Sequence, residues 1–228
     1  MNETSDLSER ILAYLQWLSA YLPGFAQACL IALQIAFATI LLSWLCGLVG
    51  ALAKTSSYRL LRWPAEFYIW FMRGTPTLIQ IFIVYFGLPQ MGMRLSPFVA
   101  GVIALGLSSG AYVAEIVRAG LKAIPRGQFE SAQALGMSYS QTMRDIILPQ
   151  VTRIIVPALT NEAINTLKNT SLLSTITVVE LTLYTQTLIA ATFKPFDFYI
   201  VAALLYLLMT TLLSWFANWF EKRNAFYH

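Results

Sequence analysis

Three stretches of this chain, 24–53, 95–114 and 198–220, contain no Asp, Glu, Lys or Arg. Each is as long as the roughly 20 residues a helix needs to cross the hydrocarbon core of a bilayer. Inside lipid every backbone N–H and C=O must find its partner within the segment, so the runs are predicted to be helices. Composition agrees, with 57% hydrophobic and 11% charged residues, against about a quarter charged in a soluble domain. The expected fold class is therefore all-α: an integral membrane protein.

Five membrane spans are expected, near 24–53, 63–88, 96–117, 153–180 and 197–220. Glu66 and Arg73 fall in the second. Glu162, Lys168 and Glu180 interrupt the fourth, so that 153–193 alternatively forms two shorter segments or a broken helix. Lys and Arg set the orientation. One side carries Lys54, Arg59, Arg62, Arg118, Lys122, Arg126, Arg144, Arg153, Lys222 and Arg223; the other carries Arg10, Arg94 and Lys194. The richer side is read as cytoplasmic, which leaves the N-terminus outside and the C-terminus inside. The net charge of +4 is this ordinary bias and calls for no nucleic acid. Before the first span, Ile11, Leu15, Leu18 and Leu22 share one helical face, so residues 1–23 read as an amphipathic helix at the outer interface or packed on its neighbours. The membrane domain covers 24–222, and 223–228 form a cytoplasmic tail.

The longest inside segment is the loop 119–152. Pro125-Arg126-Gly127 is a turn, and 130–135 are good helix formers. Gly136 is placed to stop that helix in a left-handed cap. Ser138 and Gln141 have the spacing of a capping box that starts a second helix, and Pro149 is expected to close it. The loop is thus two short helices meeting at a glycine corner.

Glu130-Ser131-Ala132, Gly136 three residues on, and Ile146-Ile147-Leu148-Pro149 after nine more resemble the EAA loop of permease subunits of bacterial ATP-binding-cassette (ABC) importers. The one departure is Ser131 for the middle alanine. Arg73-Gly74-Thr75-Pro76 with Leu78-Ile79-Gln80, Ser109 to Glu115 with Arg118-Ala119-Gly120, and Lys168-Asn169-Thr170-Ser171-Leu172 are similar to the polar amino-acid branch of that family. The resemblance covers roughly residues 24 to 222. It implies two such subunits, identical or homologous, forming a pathway for a polar amino acid, with an ATPase dimer beneath them holding ATP and Mg, and a periplasmic solute-binding protein above. It assigns ATPase coupling to Glu130, Ser131, Ala132, Gly136, Ile146, Leu148 and Pro149, and it brings Thr75 and Gln80 into the candidate substrate site. The chain carries no G-x-x-x-x-G-K-[ST] phosphate loop, so it is not the ATPase and binds no cofactor of its own.

Charges inside a membrane face the bundle interior or a cavity. Arg73 and Glu162 lie about ten and nine residues from the inner ends of their spans, which predicts a shared depth near the midplane. Two readings stay open. Either the two charges pair with each other or locally, or they line a cavity in which Arg73 takes an α-carboxylate and Glu162 an ammonium. Glu162, Asn165 and Asn169 form a polar stripe at i, i+3 and i+7, continued by Thr170 and Ser171; interhelical hydrogen bonds and ligand contact both account for it. In relatives that carry basic amino acids the position matching Asn169 is often acidic, so a neutral Asn argues against a cationic substrate side chain. Glu115, Arg118, Glu66 and Arg62 are expected to form structural ion pairs near the inner surface.

Other functions fit less well. An ion-gradient-driven secondary transporter should show repeated halves with broken helices in matching positions. A non-transporting assembly subunit remains an alternative. Cys29 and Cys46 have no metal-ligand spacing, and His228 is the only histidine, which removes most metal and acid–base schemes for a membrane enzyme.

Overall fold

The computed structural model describes the backbone of residues 16–224 and the side chains of 16–219. Ile11 and Leu15 of the expected amphipathic face, the 223–228 tail beyond Asn224, and the side chains of Lys222 and Arg223 lie outside what is described. Among the described residues the regular structure is helical. The helices are α1 (Leu22–Thr55), α2 (Arg59–Gly74), α3 (Thr77–Phe82), α4 (Pro97–Ala123), α5 (Arg126–Ala134), α6 (Tyr139–Gln141), α7 (Leu148–Asn169), α8 (Leu181–Thr192) and α9 (Pro195–Asn224).

Three stretches are straight and apolar enough to cross a bilayer alone: α1, α4 and Pro195–Trp219 of α9. The other two crossings are broken. α2 and the Thr77–Met91 stretch meet at 112°, and Tyr139–Ile176 meets α8 at 49°. Straight second and fourth spans were expected, and the structure corrects the second. Thr75 and Pro76 are both extended (ψ 149° and 133°). Proline has no N–H to continue the helix and pushes the residue before it out of the helical region. For the fourth span, the broken alternative is the one observed. α7 tightens into a 3-10 stretch, Thr170–Ile176, and Thr177 turns the chain in a left-handed conformation with φ 64°.

α1 and α4 form the largest interface of the bundle. Small residues allow it. A Cβ on Gly110 would fall 2.8 Å from both Cys46 Cβ and Tyr68 Oη, and one on Gly47 would collide with Val113. Close backbone approach through glycine replaces the hydrophobic drive that lipid cannot supply. The opposite faces are apolar and outward: Leu30, Leu33, Phe37, Leu41, Leu45, Leu48 and Leu52 on α1, and Leu204, Leu207, Leu208, Leu212 and Trp215 on α9. Stripes of this size would aggregate in water but suit a hydrocarbon surround.

Trp17 and Leu18 pack into a cluster with Phe25, Tyr184 and Phe198, and Lys194 Nζ sits 4.0 Å from the Trp17 ring centre. Of the two expected placements for the segment before α1, its described part adopts packing on neighbours.

Candidate functional site

The loop is built locally, and most of its expected construction is present. α5 ends in a six-residue closure in which Met137 N–H donates to the Ala132 carbonyl (3.1 Å) and Gly136 N–H to that of Gln133 (3.0 Å). Gly136 has φ 74°, a conformation in which a β-carbon is strained. The Ser138 capping box is complete: Gln141 N–H donates to Ser138 Oγ, and Gln141 Oε1 accepts from Ser138 N–H. Pro149 does not close the second helix. α6 passes through a π-helical stretch, Thr142–Ile147, directly into α7, with Pro149 in the first turn of α7. The wider π turn takes up the clash and the missing donor that a proline brings to a helix interior. The loop is therefore one short helix, a glycine corner and the start of a long helix.

The seven residues expected to couple to an ATPase separate by exposure. Ala132 is buried, and Ile146 packs on the cluster of Ile124, Ile147 and Val151 that holds the loop on the bundle. Glu130, Ser131, Gly136, Leu148 and Pro149 face outward. Leu135 and Tyr139 beside the corner are 79% and 75% exposed. Sequence reasoning passed over these two. Large apolar side chains flanking a helix-stop glycine were the signal for them.

Midway along the bundle is a cavity of about 460 Å³ lined by Thr77, Leu105, Ser108, Ser109, Tyr112, Glu162, Asn165, Thr166, Lys168 and Asn169. Its size falls in the range of small-molecule sites, roughly 300–1,000 Å³. The polar stripe of α7 supplies one wall, and α4 supplies the facing wall. Ser109 Oγ donates to Glu162 Oε1 at 2.6 Å and lies 3.0 Å from Thr166 Oγ1. Thr77 Oγ1 and Ser108 Oγ are 3.3 Å apart. The Glu162 carboxylate thus accepts from a neutral hydroxyl, and no ion pair of Glu162 or of Lys168 occurs among the described residues. One anion and one cation line the same cavity without neutralising each other.

Three sequence candidates fit that cavity: Glu162, Asn165 and Asn169. Five do not line it. Arg73, in the last turn of α2, lies 3.7 Å from Glu115. Glu115 also binds Lys54 at 2.7 Å and Arg118 at 2.6 Å. Glu115 is six residues beyond Ser109 on α4, so Arg73 lies about 9 Å nearer the loop end than Glu162. The expected common depth is corrected: Arg73 meets α4 at Glu115, whereas Glu162 meets it at Ser109. Arg73 and Glu162 do not pair; Arg73 pairs locally. Thr75 and Gln80 build the corner instead: buried Gln80 Nε2 donates to the carbonyls of Met72 (2.8 Å) and Thr75 (3.1 Å) and to Thr75 Oγ1 (2.8 Å). Thr170 donates to the Leu167 carbonyl and Ser171 to that of Lys168, both at 2.8 Å; these hydroxyls satisfy helix-end acceptors. The expected ion pair Arg62–Glu66 is present at 3.8 Å.

Ser108, Ser109, Tyr112, Thr166, Lys168 and Thr77 are cavity residues that the sequence did not single out. Lys168 shares the polar face of α7, three residues from Asn165, and its charge was the signal. Glu180 is likewise not an interruption but a cap: its buried carboxylate accepts from Thr182 N–H (2.9 Å), Leu183 N–H (3.0 Å) and Tyr206 Oη–H (2.7 Å), which satisfies the orphan donors at the start of α8.

Residues 46–225 match the family described as binding-protein-dependent transport system inner membrane component. Among individual proteins, the chain is 42% identical to the "Probable amino-acid ABC transporter permease protein YckA" of Bacillus subtilis (strain 168), over 86% of each chain. It is 38% identical to the "Probable glutamine ABC transporter permease protein GlnM" of the same organism, over 90% of this chain and 93% of that one. Among solved structures, it superimposes with a TM-score of 0.86 and 39% identity on a chain of an amino acid ABC transporter crystallised with histidines, covering 91% of this chain and 97% of that one.

Proposed function

The chain belongs to the inner membrane components of binding-protein-dependent transport systems, and on that premise we propose that it is the permease subunit of an ABC importer for a polar amino acid. The observation that carries the substrate class is the cavity that holds Glu162 and Lys168 unpaired with each other. A zwitterion supplies the two missing partners. Glu162 takes the α-ammonium beside the Ser109 hydroxyl, and Lys168, in the place first expected of Arg73, takes the α-carboxylate. Asn165, Asn169 and the Thr77–Ser108 hydroxyls face the substrate side chain with neutral donors and acceptors. They favour an uncharged or acidic side chain, because a cationic one would need a further anion.

The rest of the machine lies in partners. A second permease chain, the same or homologous, completes the pathway, and a periplasmic solute-binding protein delivers the ligand. An ATPase dimer with ATP and Mg takes the Gly136 corner, where Leu135, Tyr139, Glu130 and Ser131 are presented outward from a loop pinned by Ala132 and Ile146. This chain transports and does not catalyse. The charge bias puts the loop and C-terminus in the cytoplasm and the N-terminus in the periplasm.

The test is the purified complex with its ATPase in proteoliposomes, given the binding protein and radiolabelled glutamine, glutamate, histidine and arginine in turn. ATP-dependent uptake of a neutral or acidic amino acid is expected. Uptake of arginine alone, or of none of the four, overturns the reading of the cavity.

A further inference from the structure

The polar lining of the cavity stops abruptly toward the loop end. On α4 it runs Leu105, Ser108, Ser109, Tyr112 in the direction of Glu115, and on α7 Glu162 is its last member on that side. The Tyr112 ring is therefore the final lining group on α4 before the ionic cluster. It is held there: the Arg73 guanidinium carbon sits 5.4 Å from the ring centre. Arg73 does not line the cavity, yet one of its nitrogens reaches Glu115, a turn below Tyr112 on the same helix. Glu115 is fixed in turn by Lys54 from α1 and Arg118 from α4. Arg73 is also the second residue before Thr75, where the chain turns by 112° toward Thr77 on the cavity wall.

We propose that Tyr112 is the cytoplasmic closure of the substrate cavity and that Arg73 is the positioning residue that clamps its ring shut. The proposal rests on the importer reading for the direction of transport alone. A guanidinium attracted to a ring face holds that ring in one rotamer. The same guanidinium is oriented by a carboxylate that Lys54 and Arg118 hold in place. Any movement of α2 against α4 separates Arg73 from both partners at once and frees the ring. The corner at Thr75-Pro76 passes that movement to Thr77, so opening the floor and reshaping the wall are one event.

The experiment needs no known substrate. Asn165→Cys, in a background with Cys29 and Cys46 changed to Ala, puts a reporter thiol inside the cavity. Inside-out membrane vesicles of cells expressing the chain with its partner subunits are exposed to a small charged thiol reagent, and the labelling rate is followed. Arg73→Gln is expected to raise the rate about threefold to fivefold, the factor that a half-exposed cation–π contact controls. Tyr112→Ala should do the same, Tyr112→Phe should label like the parent, and Arg73→Lys should restore most of the protection. An unchanged rate in Arg73→Gln and Tyr112→Ala overturns the closure. So does acceleration in Tyr112→Phe, which would assign the effect to the hydroxyl, or acceleration confined to right-side-out vesicles. If Arg73→Gln fails to assemble, Tyr112→Ala against Tyr112→Phe decides alone. Failure of the amino-acid uptake panel bears on substrate and leaves the labelling result standing.

Discussion

Glu115 and Glu162 are both carboxylates on long helices of the same bundle, about 9 Å apart in depth, and their surroundings differ in kind. Glu115 is met by Lys54, Arg73 and Arg118. Glu162 is met by the Ser109 hydroxyl. The first carboxylate is over-compensated and ties α1, α2 and α4 together. The second keeps most of its acceptor capacity and faces open space. Within one membrane protein, then, a charge with its partners built in reads as structure, and a charge left to find one reads as a binding group. Depth alone already set the two apart in the sequence, with Glu115 expected in an ion pair near the inner surface; the partners around each carboxylate are what the structure adds.

The largest effect expected from this contrast is on stability. Glu115→Gln removes the centre of a partly exposed cluster and with it two charge-assisted hydrogen bonds, a loss of about 2–3 kcal/mol after solvent screening. The expected result is a lower melting temperature of the detergent-solubilised complex and reduced accumulation in the membrane. Glu162→Gln should behave oppositely, with assembly near normal and the apparent affinity for the transported amino acid weakened roughly tenfold to a hundredfold, the range of a lost charge-assisted hydrogen bond. Equal melting temperatures for the two variants would break the comparison.

The same contrast explains what was legible. Helix class, the number of crossings and the loop construction depend on residues close in sequence. The Gly136 stop and the Ser138–Gln141 box are closed by hydrogen bonds spanning three to five residues, so spacing alone foretold them. The cavity depends on α4 meeting α7: Ser109 and Glu162 are 53 residues apart, and nothing local says that they touch. Arg73 was misplaced for a different reason. Counting residues from the inner end of a span gives depth only if each helix rises equally, and the level of Arg73 is set by a contact 42 residues away, Glu115 on α4. Lys168 lies three residues beyond Asn165 on the polar face of α7, and only the meeting of that face with α4 shows that it lines a cavity.

A smaller effect is expected at the loop. Gly136→Val forces a β-branched residue to a positive φ, at a cost of about 1–2 kcal/mol that falls on the corner alone. Nothing lies within 4 Å of a Cβ built there, so the cost is conformational and the bundle should be unaffected. The variant should insert and melt like the parent while co-purifying less ATPase. Undiminished ATPase recovery with normal uptake would remove the corner from coupling.

The smallest expected effect is an interaction energy near zero, and it discriminates most sharply. If Arg73 and Glu162 paired with each other, each single change to Gln would strand a charge, and the double variant would recover stability and uptake together. The structure gives them separate partners, Glu115 for Arg73 and Ser109 for Glu162, at different depths. Residues so separated contribute additively to stability, within about 0.5 kcal/mol. The melting shift of the Arg73→Gln, Glu162→Gln protein should therefore equal the sum of the two single shifts. Uptake should stay as low as in Glu162→Gln alone, since neutralising Arg73 returns no ammonium partner to the cavity. Recovery of uptake in the double variant, at normal expression, would mean that the two charges do meet during the transport cycle. The two carboxylate environments would then be states of one network rather than two regions with separate tasks.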